Sequence, residues 1–74
     1  EAVLAPRSEL IGQTLRETHF REKFQTSVIA IWRSGRPICT GISDLGLQFG
    51  DALLLLGSRQ SIKMLHSEQS LIMP

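Results

Sequence analysis

Two segments of the chain are apolar without interruption, Val28-Ile29-Ala30-Ile31-Trp32 and Ala52-Leu53-Leu54-Leu55-Leu56. Side chains on a strand alternate between faces, so a strand with one wet side should read apolar, polar, apolar. Neither run alternates, and turn residues follow or flank both, which predicts strands buried on two faces. The short helices of a 74-residue chain can cover one face of such a sheet. The other face then needs a second copy, a neighbouring domain or a ligand.

The remaining pattern fills in the other elements. Ala2-Val3-Leu4-Ala5 reads as a short strand ended by Pro6, followed by a tight turn over Ser8–Gly12 that tucks Leu10 and Ile11 inward. Thr14 with Glu17 three residues later matches a capping box and predicts a helix from Leu15, with Leu15 and Phe20 buried. His19 and Arg21-Glu22-Lys23 fall on its exposed side or in the next turn, which Phe24 anchors. Thr26 to Arg33 is rich in β-branched residues. Ser34-Gly35 then makes a two-residue hairpin loop into Arg36–Thr40, and Pro37 places that strand at an edge. Leu45, Leu47 and Phe49 alternate with Gly46 and Gln48 as a short half-buried segment. Ser58 caps a helix from Arg59 to His66 with Ile62 and Leu65 inward. Ser70–Met73 reads as a final strand or a link. The order β-α-β-β-β-α-β predicts one α+β domain over residues 1–74, a mostly antiparallel sheet with two short helices, dimeric.

Composition narrows the function. The core of so small a chain supplies only about 3–5 kcal/mol, and small folds usually add a staple or a partner. Cys39 is the single cysteine, which excludes a disulfide or a zinc ribbon and fits a reducing compartment. Eight basic and seven acidic residues give a net charge of +1, without the basic excess of a nucleic-acid binder. Four aromatic residues, Phe20, Phe24, Phe49 and Trp32, offer no platform for stacking bases. No apolar run approaches the ~18 residues of a membrane span, and no signal peptide is visible. Because the chain starts at Glu1, a piece of a longer protein is expected.

The search for chemistry finds few candidates. Arg33 and Arg36 flank the hairpin turn and Arg16 lies on the first helix; converging, they would hold an anionic ligand by bidentate bonds. Apart, they are solvated surface arginines. His19 and His66 are the histidine candidates for a metal site but lack companions at ligand spacing. His66 also suits a helix C-terminus. Cys39 has no evident base and reads as a small buried apolar group on the hairpin strand. Asp44 and Asp51 read as turn residues. No nucleophile elbow or phosphate loop occurs, so neither an enzyme nor a cofactor is expected. Trp32 has two readings that the sequence leaves open. It is an anchor of a two-fold interface together with Val28 and Ala30, or a core residue under the first helix.

Three phrases, in this order, resemble one family. Ser8-Glu9-Leu10-Ile11-Gly12-Gln13-Thr14-Leu15 is similar to the opening motif of the TrkA C-terminal domain, also called the RCK C-terminal domain. Val28 to Gly35 is similar to its apolar strand with an arginine-x-glycine turn. Leu47-Gln48-Phe49-Gly50-Asp51 through Leu56-Gly57 is similar to its glycine-aspartate strand closed by glycine. The resemblance implies a regulatory homodimer on the cytoplasmic face of the membrane, attached to the transmembrane part of an ion or anion transporter. The tryptophan-arginine-x-glycine phrase and the tail from Leu65 to Met73 most resemble copies in sodium-coupled sulfate and dicarboxylate permeases. Some family members bind a small anionic ligand or nucleotide, cyclic di-AMP for one, at the dimer interface. Those commonly carry isoleucine-asparagine-proline after the turn, where this chain has Arg36-Pro37-Ile38-Cys39-Thr40. Without the asparagine that ligand does not carry over directly, and a purely structural dimerisation module is the alternative. No Gly-x-Gly-x-x-Gly occurs, so NAD is not expected.

Overall fold

The computed structural model describes residues 1–73. Five strands form one sheet in the order β3-β2-β4-β1-β5, and each neighbouring pair is antiparallel. They are β1 (Ala2–Leu4), β2 (Thr26–Arg33), β3 (Arg36–Ile38), β4 (Ala52–Gly57) and β5 (Leu71–Ile72). The two apolar runs are adjacent and interior in the sheet, as expected. β3, which carries Pro37, is an edge, where its missing N–H costs no ladder bond. The hairpin loop works as its composition suggests: Ser34 (φ 53°) and Gly35 (φ 77°) are both left-handed, as a two-residue loop matching strand twist requires.

The helices are α1 (Leu15–Thr18), α2 (Phe20–Phe24) and α3 (Arg59–Leu65), with a 3-10 turn at Ile42–Asp44. The capping box at α1 is complete. Thr14 Oγ1 accepts from the Glu17 amide at 3.0 Å, and Glu17 Oε1 accepts from the Thr14 amide at 2.9 Å. Instead of continuing, the helix breaks at His19, which is left-handed at φ 52° and ψ 46°. The break lets Leu15 and Phe20 both reach the core, where they are buried. At α3, Ser58 caps through the Ser61 amide at 3.0 Å, and Leu65 is buried.

The half-buried alternation expected for Leu45, Leu47 and Phe49 is only partly realised. Leu47 is buried, and Phe49 is 69% exposed. This segment is a loop, pinned by reciprocal bonds in which the Gly12 amide donates to the Leu47 carbonyl and the Leu47 amide to the Gln13 carbonyl, each at 2.8 Å.

The core lies on one side of the sheet. Ala2, Leu4, Ile31, Leu53 and Leu71 project there against Leu10, Leu15, Phe20, Leu47 and Leu65. At the far end of that face β2 and β4 approach closely. A Cβ built on Gly57 would sit 3.0 Å from Thr26 Oγ1, and Thr26 is itself buried and bonded to the Phe24 carbonyl. Gly57→Ala is therefore expected to destabilise the fold by about 1–2 kcal/mol, a cost of overpacking that chemical denaturation would measure.

Candidate functional site

Cross-strand partners in an antiparallel pair share a face, so the register assigns every strand residue to a side. One row crosses all five strands: Pro37, Trp32, Ala52, Val3 and Ile72. On the same side lie the pairs Ala30–Leu54 and Ser27–Leu56. This side is opposite the core. Trp32 is 40% exposed, Leu56 63% and Ile72 52%, with Val3 and Leu54 also open. Of these nine positions none is charged, and Ser27 alone is polar. The sheet thus has one face under helices and one bare apolar face.

A β-bulge creates this division on β2. Val28 pairs with Leu55 and Ala30 with Leu54, which leaves Ile29 as an extra residue. An extra residue reverses the alternation beyond it. Val28 consequently packs against the core cluster, whereas Ala30, itself buried, and the exposed Trp32 lie on the opposite side of the sheet. Simple alternation had grouped Val28, Ala30 and Trp32; the bulge separates the first from the other two. Trp32 does not lie under the first helix.

Arg33 and Arg36 are cross-strand partners beside the hairpin turn, and Arg16 sits apart on α1 with its own carboxylate partner. Arg33 is engaged: Nε donates to Asp51 Oδ1 at 2.9 Å and Nη2 to Asp51 Oδ2 at 2.6 Å and to the Gly46 carbonyl at 2.8 Å. The Gln48 amide donates to the same carboxylate at 2.9 Å. Asp51 is buried, and this bidentate pair ties the hairpin to the loop before β4. Burial alone would raise the Asp51 carboxyl; the Arg33 bond, the Gln48 amide and the Arg33 charge together hold it below its ordinary value. Asp51 was expected as a turn residue, and the bond from Gln48 fits that. Its partnership with Arg33, 18 residues away, has no local signature.

Arg16 reaches across from α1 to the 3-10 turn, where Nε donates to Asp44 Oδ1 at 2.8 Å, in full contact with solvent. That bond holds the Asp44 carboxyl below its ordinary value. Arg16 also borders a cavity beside the first half of β2. Arg36 is exposed at the edge. His19 joins α1 to α2 and His66 ends α3, while Cys39 is exposed rather than buried because β3 ends one residue before it, so the three fall on separate elements. Among the described residues no group of three His, Cys, Asp or Glu is placed to hold a metal ion.

The family model of the TrkA-C domain matches residues 1–69. The chain belongs to the TrkA-C domain family. An uncharacterized transporter of Synechocystis is 38% identical over 72 residues, which are 97% of this chain and 12% of that protein. Sodium/sulfate cotransporter 2 of Chlamydomonas reinhardtii is 31% identical over 55 residues, 74% of this chain and 6% of that protein. The chain therefore spans about an eighth or less of these relatives. Among solved structures, the RCK_C domain dimer of S. agalactiae BusR in complex with c-di-AMP superposes with a TM-score of 0.76 at 16% identity, over 90% of this chain and 84% of that one. At that identity the likeness is one of fold. The TrkA-C sheet seen here, α+β and antiparallel, is the same architecture. Among the described residues no helix is long and apolar enough to cross a membrane.

Proposed function

We propose that this TrkA-C domain is a regulatory dimerisation unit of an ion or anion transporter, held at the cytoplasmic face of the membrane, and that a second copy covers the bare sheet face. The observation that carries this reading is the uncharged row Pro37-Trp32-Ala52-Val3-Ile72 with Leu54 and Leu56 beside it. Five strands about 4.8 Å apart make a face roughly 20 Å wide. Apolar patches beyond a few hundred Å² are seldom left open on a monomer. A face without charge meets its own copy across a two-fold axis with no like-charge repulsion. Trp32 supplies the aromatic anchor typical of such centres.

Regulation requires two arrangements of the pair that a ligand distinguishes by affinity. A severalfold change in transport needs only about 1 kcal/mol of such coupling. Arg36 and Arg16 keep donors for an anionic ligand. The engagement of Arg33 by Asp51 favours a second reading, in which the hairpin is purely structural and the domain only joins subunits. Placing Leu54→Glu in the intact parent transporter decides between them. The regulatory reading predicts assembled, membrane-inserted protein with a severalfold altered transport rate. An unchanged rate in assembled protein overturns it.

A further inference from the structure

The cavity bordered by Arg16 has a volume of about 400 Å³, within the range of small-molecule sites. It lies between α1, α2 and the first half of β2. Val28 contributes apolar surface, and Arg16, His19 and Arg21 bring nitrogen donors to it. Arg16 and Arg21 are five residues apart. On a continuous α-helix they would project about 140° from one another around the axis. The left-handed turn at His19 ends α1, starts α2 in a new direction, and brings both arginines to one cavity. Asp44 fixes the Arg16 guanidinium through Nε, and its second bond, to Nη2, is long at 3.4 Å, so Nη1 has no part in the pair.

We propose that this cavity binds an elongated organic dianion, with one anionic end on Arg16, the other on Arg21, and an apolar middle against Val28. Ser43 adds a hydroxyl donor to the lining. A compact inorganic dianion fills only a small part of this volume. Glu22 also lines the cavity and opposes an anion, which fixes the sign of one test. That occupancy would reach a transporter rests on the regulatory reading above; the binding itself does not.

The test is an amide chemical-shift titration of the 74-residue chain with succinate, and with sulfate, at constant ionic strength. Succinate is expected to give saturable shifts grouped over residues 15–22, 26–28 and 43, with sulfate weaker by about fivefold or more, because one bidentate grip replaces two. Arg21→Gln, on an exposed side chain, should weaken succinate by a similar factor, and Glu22→Gln should tighten it. Leu54→Glu should bind succinate as wild type does, since one copy contains every lining residue. Scattered or unsaturable shifts, equal affinity for sulfate, no tightening by Glu22→Gln, or loss of binding in Leu54→Glu would each overturn the proposal. If succinate binds while transport in the intact parent ignores Leu54→Glu, the site stands and the regulatory reading falls.

Discussion

Asp51→Asn is expected to cost the fold about 2–4 kcal/mol, because it leaves the Arg33 guanidinium, 22% exposed, facing a neutral amide. Breaking a fully buried pair costs about 3–5 kcal/mol, and the partial exposure of Arg33 returns some of that as hydration. The loss is comparable to all that the core of so small a domain provides, so the urea midpoint should fall by a large fraction of its wild-type value. The pH dependence follows from the direction of the Asp51 shift. Its carboxyl is lower in the folded state than its ordinary 3.8. The unfolded chain therefore binds a proton first as the pH drops. The pair contributes fully above about pH 4, and its contribution declines as the pH falls through the folded value. Asp44 is shifted the same way, so the wild type carries two acid-sensitive carboxylates in this region. Asp51→Asn removes one, and its stability should vary less between neutral and strongly acidic pH than that of the wild type. Equal acid sensitivity in the two proteins would show that the Arg33 pair is energetically idle.

Two adjacent leucines on β4 should behave in opposite ways. Leu53 is fully buried at the centre of the covered face, packed against Ile31 and Ala2 across the register. Leu53→Ala should cost about 2–5 kcal/mol, the sum of lost transfer energy and an unfilled cavity. That is enough to unfold most of the population of a single copy. Leu54, one residue on, points to the bare face. Leu54→Glu puts a carboxylate into water in a single copy and leaves the core untouched, so circular dichroism should remain that of the folded chain. In a pair it buries two like charges near the axis, and association should be lost. Leu54→Glu unfolding as readily as Leu53→Ala would place Leu54 in the core and remove the distinction between the two faces.

Much of the fold followed from local pattern. The capping box at Thr14 and Glu17, the Ser34-Gly35 loop, the edge position of Pro37 and the Ser58 cap each rest on contacts within a few residues, and each formed as the chemistry of those residues dictates. The unbroken apolar runs correctly announced that helices cover only half of what the sheet offers. What local pattern did not contain was the bulge at Ile29. Ser27-Val28-Ile29-Ala30 has no glycine or proline to mark it, and one extra residue exchanges the faces, moving Val28 to the core side while Ala30 and Trp32 stay out. The break at His19 was equally silent, because the left-handed region admits histidine without demanding it and no glycine marks the helix end. The Arg33–Asp51 pair joins residues brought together only by the β2–β4 ladder. Val3 and Ile72 joined the bare face through pairings with β1 and β5, which hydrophobic periodicity cannot assign.

The central claim is that a second copy covers the bare face, and the mass of the folded chain in dilute solution tests it most directly. One copy weighs 8.2 kDa. Sedimentation equilibrium across the micromolar range should return twice that mass for the wild type, and a single copy, still folded, for Leu54→Glu. A wild-type chain that sediments as one folded copy throughout that range would contradict the account.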